Sequence, residues 1–320
     1  MTTMVNPGWS KPSNLLFASE IPADPKAFHL ALEQAKEFGA KLAIFHAYDT
    51  LVVAASETSG IRYYYYQASA EIEYTALNPL AEEAHKAGVD CQVVVRPGLP
   101  AEQILHYIRE QKIDRVIMGT HGRGTLGQLI LGSVAEAVVR TSYVPVMVIG
   151  PNVFAARLDH YSTRNVLCAV HEEDRSYTVV ALAAQIAFEH KARLVLQHVI
   201  RPQERHHTLA GRSLEQMERD LLLLIPINLQ NQLQVEAIVV PGDPVDELLY
   251  QAKAQQADLV VIGAHHASLF ASFSRPGVVH KILTHTQCPV LTVSNLVTEL
   301  AGEHRKQHAH ADEAYMAGVF

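Results

Sequence analysis

Residues 114–149 read DRVIMGTHGRGTLGQLILGSVAEAVVRTSYVPVMVI, and residues 258–293 read DLVVIGAHHASLFASFSRPGVVHKILTHTQCPVLTV. The second stretch repeats the first at an offset of 144 positions: Asp114 falls on Asp258 and Pro145 on Pro289. The same offset carries Gly98 to Gly242, within RPGLPAEQIL and VPGDPVDELL. A repeat of that length marks duplicated domains and not a solenoid. Each stretch opens on a short apolar run and closes on another. A loop and an amphipathic segment lie between them. Strands that alternate with helices imply βαβ units and a mostly parallel sheet covered on both faces.

Outward from that stretch the pattern continues. The first half reads as strands at 14–19, 41–47, 91–95, 115–119 and 144–149. Helices are expected at 25–38, 68–86 and 100–111, the second of them interrupted by Pro79. Asp24 is placed to cap the first helix, Pro25 fits its first position and Gly39 its stop. The second half repeats the order, with strands at 165–170, 193–199, 234–239, 259–263 and 290–294 and helices at 176–190 and 244–255. The fold class is therefore α/β: two tandem, doubly wound, mostly parallel five-stranded sheets. The expected domains are 1–151 and 152–297, followed by a polar, mobile tail at 298–320.

Composition narrows the function classes. The chain has 320 residues, 48% hydrophobic and 18% charged, with a formal net charge of −7. Both halves are mildly acidic, so neither offers the broad basic face of a nucleic-acid tracker. Cys91, Cys168 and Cys288 show no CxxC spacing and read as reduced core residues of a cytoplasmic protein. No apolar run approaches the ~20 residues that span a bilayer, and MTTMVNPGWSKPSN has no apolar signal core.

The chemistry is expected in the loop after strand 115–119, GTHGRGTLGQLILGSVAEAVVR. Gly119 and Gly122 let backbone turn and approach a ligand closely, and Gly124 and Gly127 extend that freedom. Gly132-Ser133 opens a helix, and Ser133 with Glu136 has capping-box spacing. A helix start offers unpaired N–H groups and a positive dipole end to a phosphate. Ser133 is placed to cap that helix, to donate to a phosphate, or both. The loop is not a Walker loop, since no Gly-Lys-Ser/Thr follows, and it lacks GxGxxG at its start.

These residues resemble the universal stress protein family in its tandem form, which implies a Rossmann-like, adenine nucleotide α-hydrolase-like fold for each sheet. Nucleotide-binding members of that family carry G-x2-G-x9-G-[S/T], and Gly119, Gly122, Gly132 and Ser133 fit it without a gap. The resemblance covers roughly residues 12–296 and implies an ATP or ADP site, with or without Mg²⁺. It implies that Ala18 and Glu20 close the first strand, Glu20 standing where the family has an Asp for ribose or metal. The backbone of Ala47, after His46, would meet the adenine; Met118 and Gly119 would flank base and ribose. His121, Gly122, Arg123, Gly132, Ser133 and Val134 would hold the phosphates. It further implies that the last strand of each half pairs the halves as a dimer within one polypeptide, with further homodimerisation open. The implied role is nucleotide-dependent stress regulation; weak ATP hydrolysis and a scaffold that binds no nucleotide remain as alternatives.

In the second copy the offset sends Gly122 to His266, Gly132 to Pro276 and Ser133 to Gly277, and His171 replaces the acidic residue. Proline lacks the N–H a phosphate needs, so no ATP is expected there. His265, His266, His171 and Arg275 are placed to line a degenerate second site, with a different anion as a hypothesis. His206-His207, His304, His308 and His310 have no zinc-ligand spacing, and Tyr63–Tyr66 reads as a packed or interfacial helix segment.

Overall fold

The computed structural model describes residues 6–48, 59–120, 131–171, 176–203, 211–264, 277–294 and 296–297, with side chains described for all of these except 59–69 and 176. The first copy runs α1 (Pro7–Ser10), β1 (Asn14–Ala18), α2 (Pro25–Phe38), β2 (Lys41–Tyr48), α3 (Ser59–Lys86), β3 (Cys91–Pro97), α4 (Pro100–Glu110), β4 (Arg115–Gly119), α5 (Ser133–Thr141) and β5 (Val146–Ile149). The second copy runs β6 (Asn165–Ala169), α6 (Ser176–His190), β7 (Arg193–Ile200), α7 (Leu214–Leu222), β8 (Val235–Pro241), α8 (Pro244–Ala254), β9 (Leu259–Ala264), α9 (Val278–His285) and β10 (Val290–Ser294). The strand order is β3-β2-β1-β4-β5-β10-β9-β6-β7-β8. Each copy thus contributes a parallel five-stranded unit, and antiparallel β5 and β10 join them into one ten-stranded sheet, with Met147 opposite Leu291.

Alternation along the strands explains the layers. Leu15 and Phe17 face one core and Leu16 and Ala18 the other. The first core takes its helical residues from α1, α2, α3, α6 and α7, the second from α4, α5, α8 and α9. Both cores run across the junction between the copies. A strand buried on both faces reads as continuous apolar sequence, as these do. Cys91, Cys168 and Cys288 are free and buried, and burial pushes the Cys91 and Cys288 thiols up to about 12.

The helix ends follow the sequence. Asp24 caps α2, accepting from the N–H of Lys26 and Ala27, and Gly39 ends it at φ 61°, a left-handed conformation that suits glycine. Three expectations are corrected. Pro79 does not interrupt its helix: α3 continues through it from Ser59, nine residues before the expected start. Leu77, Ala81 and Ala84 on either side of Pro79 are buried, and that packing offsets the lost helical hydrogen bond. The capping box at Ser133–Glu136 is not formed: Gly132 is the N-cap, and Glu136 pairs with Arg140 at 3.4 Å. A true capping box sits instead at Ser213 and Gln216, starting α7 between β7 and β8, where no helix was expected.

The landmark aspartates lie far from the loop. Asp114 Oδ2 accepts from the backbone of Ser13 and Asn14, and Asp258 Oδ2 from that of Arg164 and Asn165. Both tie down the entry to a first strand, at the amino end of the sheet. Their shared offset reflects folding, and it has no bearing on ligand chemistry.

Candidate functional site

In an open α/β sheet the crevice forms at the carboxyl ends of the strands where strand order reverses. In the first copy that place is between β1 and β4, the two neighbours from which the chain winds outward in opposite directions. Ala18 pairs with Met118 there and with Phe45 on the other side. Ala18, Ala47 and Met118 are buried, and Gly119 is half-buried at the rim. Ala18 closes β1 and Ala47 stands one residue before the end of β2, so both strands carry small side chains there.

The turn after β1 is held by hydrogen bonds. Ser19 N–H donates to Phe45 O (2.8 Å), and Ser19 Oγ–H donates to Glu20 O (2.7 Å). His46 Nδ1 lies 2.9 Å from Ser19 O, so that nitrogen carries the hydrogen. Its Nε2 faces Glu73 Oε2 on α3 at 3.9 Å. His46 therefore braces the mouth from below, linking β2, the turn and α3.

The ends of the glycine loop are pinned together. Thr120 N–H donates to Ile149 O (3.2 Å), and Gly132 N–H donates to Thr120 O (2.7 Å). The expected ligand residues His121, Gly122 and Arg123, with Gly124 and Gly127, lie outside the described residues. Beyond Gly132, α5 begins with no side-chain cap. The first-turn amides of Ser133, Val134 and Ala135 precede any carbonyl that the helix itself offers. Ser133 is exposed, and its hydroxyl makes no hydrogen bond among the described residues.

One carboxylate was missed in the sequence. A Cβ on Gly119 would sit 2.7 Å from Asp24 Oδ2 and 3.3 Å from Asp24 Cβ. Asp24 thus occupies the space that glycine leaves at the end of β4. Its Oδ1 caps α2, at 2.8 Å from Lys26 N and 3.2 Å from Ala27 N, and its Oδ2 accepts no hydrogen bond among the described residues. The cap role was legible from Asp24-Pro25; the position over Gly119 was not. Glu20, the expected acid, is half-buried on the same turn. No group of three or more His, Cys, Asp or Glu side chains able to hold a metal occurs among the described residues.

The second copy has the same frame with different fittings. His198 Nδ1 lies 2.9 Å from Val170 O, repeating the His46 contact. Its Nε2 is buried and has no hydrogen-bond partner among the described residues, where His46 faces Glu73. α9 starts at Gly277 without a side-chain cap and with no acidic residue in its first turn. His171 is exposed; His265, His266, Arg275 and Pro276 lie outside the described residues.

The sequence profile of the universal stress protein family matches residues 14–150 and again 162–294. The chain belongs to the universal stress protein family. Universal stress protein YxiE of Bacillus subtilis is 30% identical over 131 residues, covering 39% of this chain and 88% of that protein. A universal stress protein of Mycobacterium tuberculosis is 26% identical over 233 residues, covering 66% of this chain and 71% of that one. The crystal structure of a universal stress protein from Archaeoglobus fulgidus superposes with a TM-score of 0.66 at 18% identity, covering 89% of this chain and 97% of that chain. The fold is thus shared over nearly the full length, and both copies are universal stress protein units. Within the first unit the matched span contains the whole mouth, from Ala18 to Val134. No helix among the described residues is long and apolar enough to cross a membrane.

Proposed function

We propose that this universal stress protein binds ATP or ADP at the mouth of its first domain, residues 1–151, and acts in the cytoplasm as a nucleotide-dependent regulator. The observation that carries the reading is the start of α5, which no side chain caps among the described residues and which Gly132 N–H ties to Thr120 O just past the end of β4. The ring would lie against Ala18, Ala47 and Met118, and the ribose near Gly119. The phosphates would meet Gly132, Ser133 and Val134, together with His121, Gly122 and Arg123 of the loop. Mg²⁺, if present, would arrive on the phosphates and take Glu20 or Asp24 as its protein contact. The second domain, residues 152–297, is read as binding no ATP, because Gly122, Gly132 and Ser133 give way to His266, Pro276 and Gly277.

Isothermal titration with ATP, ADP and AMP tests this on the wild type and on Gly122→Val. Binding by the wild type, lost in Gly122→Val with the far-UV spectrum unchanged, is expected. No heat with any of the three nucleotides would end the reading and favour a scaffold.

A further inference from the structure

The helix that carries Asp24 also grips the junction between the copies. Lys26 Nζ donates to three backbone carbonyls: Pro151 O (2.9 Å), Val153 O (3.2 Å) and Gly150 O (3.3 Å). An ammonium has three N–H donors, and here three carbonyls of one short segment meet it. The same face of α2 continues toward the second copy. His29 Nε2 lies 3.2 Å from Asp159 Oδ1, and Glu37 Oε1 lies 3.2 Å from His190 Nδ1 on α6.

The gripped segment touches the second copy's loop-following helix. Asn152 Nδ2 donates to Thr284 O (3.1 Å), near the end of α9. A Cβ on Gly150 would sit 2.3 Å from Leu283 O, so linker and helix are in direct backbone contact there. A continuous path therefore runs from Gly119 through Asp24, the first turn of α2 and Lys26 to the linker and α9.

We propose that Lys26 is a positioning residue that reports occupancy of the first mouth to the second copy. The proposal rests on nucleotide binding at that mouth. Asp24 Oδ1 already holds the first turn of α2. A ligand group donating to Oδ2 fixes the carboxylate in its capping orientation, firms that turn and tightens Lys26 on residues 150–153. The response is loss of local opening, and it needs no large movement.

Hydrogen–deuterium exchange on the full chain, with and without saturating ATP, tests this alongside titration calorimetry. In the wild type, ATP should slow exchange about fivefold or more at residues 150–160 and 278–286, as well as at 131–141. Lys26→Met should keep ATP binding and the slowing at 131–141 but lose it at the two distant segments. Lys26→Arg, which keeps the donors, should restore it. Wild type that binds ATP and protects 131–141 alone overturns the coupling, whatever the variants do. Lys26→Met that still protects the junction overturns the role of Lys26. Wild type that binds no ATP overturns the nucleotide reading itself, and the calorimetry distinguishes that result from the other two.

Discussion

At the scale of single residues, the account turns on Gly119 and Asp24. A methyl at Gly119 would stand 2.7 Å from Asp24 Oδ2, and Asp24 cannot retreat without releasing the amides of Lys26 and Ala27. Gly119→Ala should therefore cost about 1–3 kcal/mol in folding stability and weaken ATP binding about tenfold, equal to about 1.4 kcal/mol. Urea denaturation and calorimetry check the two parts. Unchanged values in both would mean that Asp24 yields freely and does not define the mouth. Sequence alone showed Asp24 as a helix cap, because Asp-Pro before a periodic apolar run is a local signal. Its second role depends on β4 lying beside β1, which no local signal records. Glu20 was read as the site acid because the family resemblance puts an Asp at its place after the strand. The turn from Glu20 to Asp24 carries two carboxylates, and their order in sequence does not show which one lies over Gly119.

At the scale of elements, α5 is the informative case. Ser133 and Glu136 have the spacing of a capping box, yet the chain enters the helix one residue earlier, with Gly132 extended at the N-cap. Ser133→Ala should therefore change the stability of the nucleotide-free protein by less than about 0.5 kcal/mol. Ser213→Ala, which breaks a formed capping box, should cost about 1 kcal/mol. ATP affinity should fall in the first variant and hold in the second. Equal destabilisation in thermal melts would show that Ser133 caps α5 after all. Elements whose burial follows one face, such as α2 and α4, were legible from apolar spacing. α3 was half-legible, since Pro79 argues for a break and only the packing of Leu77, Ala81 and Ala84 overrules it. α1 was not legible: its four residues are held by tertiary contacts, with Arg115 donating to Gln34 Oε1 (3.0 Å) and to Trp9 O. Burial alone lowers the Arg115 pKa to about 10.

At the scale of the whole molecule, two homologous units share one sheet and two cores that both cross the junction. Such an arrangement should unfold as one cooperative unit, with the calorimetric enthalpy matching the van't Hoff enthalpy. Two resolved transitions would show that the copies melt as independent domains. ATP at a hundredfold excess over its Kd should add about 2.7 kcal/mol to that single transition. The 144-residue offset made the duplication legible, and the apolar final strands pointed to the joint between halves. The ties of Lys26, His29 and Glu37 were not legible, because each joins residues distant in sequence.

The central claim is one nucleotide site per chain, in the first copy. Native mass spectrometry of the full chain titrated with ATP counts it directly. The account predicts a single bound ATP per chain at saturation, absent in Gly122→Val. Two bound nucleotides per chain, or one that persists in Gly122→Val, would contradict it.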